Sequence, residues 1–324
     1  MIDSTTFFGI NPVFSGHETF PMRYGWLKKV YDACLPIRKK KNGSIIRDLF
    51  NSDEAIVTLG VGKNMVSSMR HWAVYSSLLY FDKNKNLVIN DFAEEIFRDN
   101  GFDPWLENYA TMWFIHWNLV AKKQSSNHLY TYLWVFNCLN GNTFDKDILF
   151  TRIMDSVKTF TSKIPSPSTL KRDIECFLGM YSSRSNKDKT DEDNIESPLT
   201  ELELISPLVR RNLFQVNRGI KPTISIYTFL FVLLKFWDYY SPNSKTLSFE
   251  SICYNFMSPG RIFLLNEDAI AEYLHKLSDE TRGTFEYTET AGMKQIIMNS
   301  SQNKVFDTWA IHYFRKNYNE KMPR

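Results

Sequence analysis

The chain has 324 residues, of which 43% are hydrophobic and 23% are charged, and its formal net charge is +3. This composition is typical of a soluble globular protein long enough for two or three domains, and it excludes a histone-like polycation while permitting one basic face. The four cysteines are far apart in sequence, which disfavours a zinc site or a disulfide framework and is typical of a reducing cytosol. The longest apolar run, residues 224–234, is too short to span a bilayer and no signal peptide precedes it, so we expect a cytoplasmic protein that does not associate with a membrane.

The first informative stretch is FSGHETFPMRYGWLK, residues 14–28, which has neither a helical nor a strand period. Its aromatic residues Phe14, Phe20 and Trp26 are expected to anchor the segment in the core. A purely structural interpretation is a folded turn in which Gly16 allows the bend and Glu18 pairs with Arg23 or a backbone N–H.

The same stretch contains three candidate catalytic residues, His17, Glu18 and Arg23. We expect them close together at an exposed edge that faces bound DNA. His17 would act as a general base or metal ligand, Glu18 would orient it or bind metal, and Arg23 would hold a phosphate. Adjacent residues on an extended chain point to opposite sides, so His17 and Glu18 cannot easily share one metal.

Residues 53–97 have the order of a winged helix-turn-helix. A short helix over residues 53–59 precedes a turn at Gly60 and Gly62, a longer helix follows over residues 63–76, and two apolar runs at 78–81 and 87–89 predict a β-hairpin.

The longer helix of this unit is predicted to have a DNA-binding face. Its inward stripe would consist of Met65, Met69, Trp72 and Ala73 at helical spacing. The candidate DNA-binding residues are Lys63, Asn64, Ser67, Arg70 and His71 on the outward face and Lys83 and Lys85 at the hairpin tip. A protein-docking role or a merely solvated face is the alternative. Three acids beyond the hairpin, Asp91, Glu94 and Glu95, could form a metal-binding face, although such a cluster is more often simply solvated.

The rest of the chain is predicted to be mostly helical. Helices are expected over 103–121, 129–140 and 168–181, the last with Ser168 as its N-cap. Residues 182–196 are charged and almost free of apolar side chains, which predicts an exposed linker or long loop. A helix over 267–277 followed by strands at 285–287 and 293–297 resembles a second helix plus wing, whose acidic start favours packing over DNA reading.

The predicted fold is therefore mainly α with small β-hairpins: a winged helix-turn-helix unit, a helical domain, and a smaller C-terminal domain that is helical or winged. The sequence-based division places an N-terminal segment and winged-helix domain at 1–100, a helical domain at 101–181, the linker at 182–196 and a C-terminal helical domain at 197–324. No internal repeat is visible.

Four blocks of sequence carry a family resemblance. FSGHETFPMRYGWLKK, LGVGKNMVSSMRHW, STLKRDIECFL and SPLTELELI resemble, in order and spacing, a bacterial family of formerly unknown function that includes SspB of the Ssp DNA phosphorothioation system. The blocks span residues 14 to about 205, and the first two are the more specific.

The resemblance implies a DNA-binding component of a bacterial system for sulfur modification of DNA and phage defence, which nicks one strand to allow sulfur insertion. Its implied partners are double-stranded DNA and the sulfurtransferase, cysteine desulfurase and ATPase of the same system. Nicking would imply Mg²⁺ or Mn²⁺, but the chain contains no PD…(D/E)xK, HNH or GIY-YIG motif, so the metal ligands remain unassigned. A non-catalytic adaptor for a sulfurtransferase and a winged-helix transcriptional regulator are the alternatives.

Overall fold

The computed structural model describes residues 7, 9–39, 46–51, 53–121, 127–183, 196–210, 212–290, 292–299 and 306–318. These residues form mainly α-helices with small β-sheets, as the sequence predicted. Two compact units divide the chain: unit 1 comprises residues 1–133 and 143–216, and unit 2 comprises residues 134–142 and 217–324. These bounds differ from the sequence-based division, and residues 184–195 of the expected linker lie outside the described residues.

The first part of unit 1 contains the N-terminal segment and the predicted helix-turn-helix and hairpin. Its elements in chain order are β1 (Asn11–Val13), α1 (Trp26–Lys39), α2 (Ile46–Asn51), α3 (Glu54–Leu59), α4 (Lys63–Tyr75), β2 (Leu79–Phe81), β3 (Leu87–Ile89), α5 (Asp91–Phe97) and α6 (Tyr109–Ala121). The β2–β3 pair is antiparallel, so the predicted hairpin is confirmed.

The second part of unit 1 begins with β4 (Asn127–Leu129), which pairs in parallel with β1. The unit boundary falls within α7 (Tyr130–Cys138). The remaining elements are β5 (Thr143–Asp145), α8 (Lys146–Lys158), α9 (Pro167–Tyr181), a 3₁₀ helix (Pro198–Leu202), β6 (Ile205–Pro207) and β7 (Leu213–Val216).

Unit 2 is built around an apolar helix. Its elements after α7 are α10 (Ile226–Tyr240), β8 (Thr246–Ser248), α11 (Phe249–Tyr254), α12 (Pro259–Ile262), α13 (Glu267–Glu280), β9 (Phe285–Thr290), β10 (Met293–Met298), α14 (Phe306–Arg315) and a 3₁₀ helix (Lys316–Tyr318). Strands β9 and β10 pair antiparallel from Phe285–Met298 to Thr290–Met293, which confirms the predicted C-terminal hairpin.

One order of elements occurs twice. Among the described elements, the order in unit 1 is β5, α8, α9, β6, β7, with a 3₁₀ helix (Pro198–Leu202) before β6, and in unit 2 it is β8, α11, α13, β9, β10, with the short α12 inserted. In both, the third strand lies between the first and the second, and all pairs are antiparallel. The repeat concerns connectivity and strand order, which explains why no repeat is visible in the residues themselves.

Local chemistry explains most helix ends. Ser166, rather than the expected Ser168, is the N-cap of α9: its hydroxyl accepts from the Thr169 N–H at 3.1 Å, and Pro167 occupies the first helical position. Gly60 ends α3 in a left-handed conformation with φ 64°, and its N–H donates to the carbonyl of Ile56. This sharp ending lets α4 begin after a short turn.

Two expectations concern redox and membranes. Cys34, Cys138, Cys176 and Cys253 are all free thiols. Among the described helices, none combines the length and the apolar character that crossing a bilayer requires.

Candidate functional site

The aperiodic N-terminal segment packs against α4. The Ser68 hydroxyl and the Trp72 indole N–H both donate to the carbonyl of Phe20, at 3.2 and 2.9 Å. Phe14 and Trp26 are buried as expected, whereas Phe20 is half-buried. The N-terminal segment and α4, which the sequence presented as two separate motifs, therefore pack directly against each other.

Gly16 allows the closest approach between the segment and α4. Its φ is +101°, and a Cβ at this position would lie 2.8 Å from Nδ1 of His71, nearer than real Cβ contacts allow. Any side chain here would both strain the backbone and displace the imidazole of His71.

His17 is buried and holds the loop of residues 16–19, which we call the GHET loop. Its Nε2 lies 3.1 Å from Oδ1 of Asp173, and its Nδ1 accepts from the Thr19 N–H at 3.0 Å. Because an acceptor role at Nδ1 requires an unprotonated nitrogen, the ring proton is on Nε2 and is donated to Asp173. Asp173 also accepts from the Thr131 hydroxyl through Oδ2. Both ring nitrogens are thus occupied, and the imidazole orientation is determined.

The GHET loop has an unusual backbone. Glu18 and Thr19 are consecutive non-glycine residues with φ of 46° and 68°, and both are exposed. Left-handed conformations cost an L-residue roughly 1–2 kcal/mol each, so they persist only where surrounding bonds hold them. The bonds of His17 supply that restraint.

A cleft of about 540 Å³ in unit 1 opens beside this loop, and we call it the α4 cleft. It contains hydroxyl, amide, imidazole and aromatic groups in addition to one cation and one carboxylate. Its lining residues are Gly16, Glu18, Phe50, Asn51, Ser67, Arg70, His71, Val74, Tyr75, Leu79, Tyr80, Phe81, Asn118, Leu119, Asn127, His128 and Leu129.

His71 lies in the wall of the α4 cleft and not on an outward DNA-binding face as the sequence predicted. Its side chain is buried between the GHET loop and the rings of Trp72 and Tyr75, whose centroids lie 4.8 and 4.7 Å away. Burial lowers the pKa of His71 to about 3, with smaller electrostatic contributions from its neighbours His17 and Arg70. Within the described part of the chain its Nε2 is buried and has no hydrogen-bond partner.

Two further cleft residues are uncharged near neutral pH. Burial lowers the pKa of His128 to about 4. Burial and the charge of Asp173 raise the pKa of Tyr75 to about 12. The cleft therefore offers neutral imidazole and phenol groups for hydrogen bonding, next to the charges of Glu18 and Arg70.

The structure separates the three predicted catalytic residues. His17 is buried against Asp173, Glu18 is exposed at the α4 cleft, and Arg23 is not among the cleft residues. The Arg23 guanidinium lies 5.9 Å and 5.7 Å from the ring centroids of Phe20 and Trp26, where it makes cation–π contacts. The three groups therefore do not lie together on one exposed edge.

Four other residues were predicted on the outward face of α4. Lys63, Asn64 and Ser67 are exposed, and Arg70 is half-buried and reaches the α4 cleft with Ser67. The N-cap of α4 is Gly62, which has no side chain to cap the helix, and the first turn carries no acidic residue. The first N–H groups of α4 consequently remain available to an anion.

The hairpin beyond α4 carries the two predicted lysines. Lys83 and Lys85 are exposed in the turn, and Lys85 has a φ of 61°. The Asp82 carboxylate accepts from the N–H groups of Asn84 and Asn86, both at 2.8 Å, which shapes the turn.

The described residues do not provide a metal-binding cluster. Among them no group of three or more His, Cys, Asp or Glu side chains is arranged to hold an ion, and this includes Asp91, Glu94 and Glu95 on α5. These three acids, for which a solvated role was the favoured interpretation, are therefore not grouped to hold an ion.

Fold and site together define a mainly helical protein with a short-turn helix pair, a hairpin and a polar cleft beside them. Residues 14–314 match the family described as Protein of unknown function (DUF4007), and the chain belongs to this family. This confirms the resemblance that the four sequence blocks indicated.

Two crystal structures are similar over nearly the whole chain. Magnesium ion-bound SspB is 23% identical with a TM-score of 0.79, and the match covers 94% of this chain and 87% of that one. A second SspB crystal structure has the same identity and TM-score, with coverage of 96% and 90%. No curated protein matches the chain significantly.

Sequence reasoning missed Asp173, the partner of His17. One signal was present: on α9 this carboxylate lies between Leu170, Ile174 and Phe177 on the stripe that packs inward. A charged residue on an apolar stripe requires a buried partner. Its identity could not be read from the sequence, because the partner lies 156 positions away.

Proposed function

We propose that this protein is the DNA-binding component of a bacterial DNA phosphorothioation and phage-defence system related to Ssp. In this proposal α3, α4 and the β2–β3 hairpin act as a winged helix-turn-helix, with α4 in the major groove and the hairpin on the backbone. The sulfurtransferase, desulfurase and ATPase of such a system would be its protein partners.

The observation that carries the proposal is the face of α4. Lys63, Asn64 and Ser67 are exposed on one helix whose N-terminal N–H groups lack a side-chain cap. Lysine, amide and hydroxyl groups are the donors that contact phosphates and base edges, and an uncapped helix N-terminus favours a phosphate. Lys83 and Lys85 add two exposed cations on the adjoining hairpin. Similarity in fold to SspB supports the choice of system.

A second candidate function is nicking of one DNA strand. It is favoured by the strained GHET loop, which brings the exposed Glu18 to a cleft that also borders α4. One of the similar crystal structures is of magnesium-bound SspB. Among the described residues no group of three or more His, Cys, Asp or Glu side chains is arranged to hold an ion, so we assign no metal-dependent step to them.

The proposal is tested with Lys63→Ala combined with Arg70→Ala. Each lost phosphate contact flattens the plot of log K against log salt by roughly 0.9, so two contacts give a change of about 1.8 and about 60-fold weaker duplex binding at 0.1 M salt. Lys163→Ala combined with Arg152→Ala, which removes one lysine and one arginine from exposed positions outside the α4 face, is the matched control. Unchanged duplex binding by the correctly folded double variant would reject this surface.

The same preparations distinguish the alternative functions. Relaxation of supercoiled plasmid with Mg²⁺ or Mn²⁺ by the wild type, abolished in Glu18→Gln without loss of stability, supports nicking. Duplex binding without any relaxation favours an adaptor, and binding confined to one operator-like sequence favours a regulator.

A further inference from the structure

Unit 2 contains a cleft of its own. Its volume is about 370 Å³, and two arginines and two asparagines are among its lining residues. They are Asn140, Arg218, Cys253, Tyr254, Gly260, Arg261, Leu265, Asn266 and Glu267. Nothing in the proposed function uses this cleft.

Both guanidiniums are held in place by neutral acceptors. Arg261 donates from Nε to the Tyr254 carbonyl at 3.1 Å and from Nη1 to the Asn140 side-chain oxygen at 2.9 Å. Arg218 donates from Nη2 to the Leu139 carbonyl at 2.7 Å. Each guanidinium uses only part of its five N–H donors in these bonds, so further donors remain for a ligand.

The backbone beside Arg261 packs closely against the end of α11. A Cβ on Gly260 would lie 2.3 Å from the carbonyl oxygen of Cys253, so α11 and α12 approach each other as only glycine allows. This close packing and the two hydrogen bonds of Arg261 orient its guanidinium before any ligand binds.

The charges of the two arginines are not compensated. Across the described parts of unit 2, neither Arg218 nor Arg261 forms an ion pair. Burial and the charge of Arg261 lower the pKa of Arg218, and burial lowers the pKa of Arg261. Two half-buried positive charges that repel each other destabilise the folded state unless an anionic ligand neutralises them.

The cleft also contains one carboxylate. Oε1 of Glu267 accepts from the Tyr254 hydroxyl, and Glu267 pairs with neither guanidinium in the described structure. The lining therefore carries two cations and one anion, a net positive charge.

We propose that Arg218 and Arg261 form a phosphate-binding site in unit 2, with the Asn140 and Asn266 side chains as neighbouring polar groups. Two guanidinium groups can donate to several oxygens of a phosphate at once, whereas a single carboxylate offers only two oxygens. The phosphate belongs to a DNA backbone or to a free polyphosphate such as a nucleotide. The site is independent of the α4 face, so either proposal can fail alone.

The first experiment uses the wild-type chain and needs no variant to fold. Phenylglyoxal modifies accessible arginines, and mass spectrometry reports its rate at Arg218 and Arg261. Pyrophosphate and a short DNA duplex are each expected to slow modification of both residues, with Arg282, an exposed arginine of unit 2, as the internal reference. Protection by duplex and pyrophosphate identifies DNA backbone as the source, and protection by pyrophosphate alone identifies a free polyphosphate.

The second experiment compares Arg218→Gln/Arg261→Gln with Lys245→Gln, an exposed control in the same unit. Calorimetric titration should show pyrophosphate binding weakened at least about tenfold in the double variant and unchanged in the control, since each lost bond to a charged group is worth at least that factor. Three results overturn the site. They are no protection by either phosphate probe, protection by an oligoglutamate peptide alone, and unaltered pyrophosphate affinity in a folded double variant.

Discussion

Replacement of Asp173 tests whether the GHET loop depends on a buried carboxylate. The side chain is 1% exposed and accepts hydrogen bonds from His17 at 3.1 Å and from Thr131. Asp173→Ala leaves two buried donors unpaired, each worth about 1–3 kcal/mol, while removing a buried charge. We expect the free energy of unfolding to fall by about 3 kcal/mol.

A conservative series separates the bonds. In Asp173→Asn the amide oxygen can accept from His17 while the amide nitrogen donates to the hydroxyl of Thr131, so the loss should be only about 1 kcal/mol. Thr131→Val removes one bond and should cost about 1–2 kcal/mol. Asp155→Ala, on an exposed ion pair with Lys158 at 3.2 Å, is the control and should change stability by less than about 0.5 kcal/mol.

Urea unfolding measures this order, and hydrogen exchange supplies a local readout. Because the Thr19 N–H donates to His17, its exchange should accelerate in Asp173→Ala before other amides of the unit change. If Asp173→Ala and Asp155→Ala prove equally stable, or if Thr19 exchange is unaffected, the pair does not hold the loop.

Two further predictions concern the wall of the α4 cleft. The pKa of His71 is about 3 in the folded state and 6.5 in the unfolded state. Below pH 6.5 the unfolded chain therefore binds a proton that the folded chain does not, and the free energy of unfolding decreases as the pH is lowered. Between pH 7 and 5 this amounts to about 2 kcal/mol in urea unfolding, and His71→Gln should remove that share of the pH dependence; an unchanged pH dependence would mean that His71 is not buried in neutral form. Gly16→Ala should destabilise more than Gly25→Ala, because both positions have positive φ (101° and 76°) but only the Cβ at Gly16 meets His71. Equal losses of about 1–2 kcal/mol in the two variants would show that backbone strain alone is involved.

Helices and hairpins were predictable because their signals are local. The apolar stripe of α4 needs only neighbours three and four positions away, and the β2–β3 hairpin needs two apolar runs around a polar turn. The N-cap of α9 was misplaced by two positions because Ser166 and Ser168 both flank Pro167. With Ser166 as the N-cap, Pro167 occupies the first helical position, where no N–H is needed for a hydrogen bond within the helix.

The candidate site was only partly predictable. Lys63, Asn64 and Ser67 are exposed, as helical periodicity predicted, because no residue that the structure describes packs over that side of α4. Helical periodicity places His71 close to the same face, but the GHET loop covers it. No local pattern in the sequence of α4 predicts that a distant segment will pack there.

By itself, the sequence determined several of the helices, the β2–β3 and β9–β10 hairpins and the family motifs that the chain carries. These follow from short-range periodicity, capping and composition. Only the tertiary structure decided that His17 pairs with Asp173, that His71 is buried and uncharged, that Arg218 and Arg261 share one cleft, and that two stretches repeat the same strand order. Each of these depends on residues far apart in the chain, and the side chains that meet are chosen by how whole helices and strands pack, which local sequence does not encode.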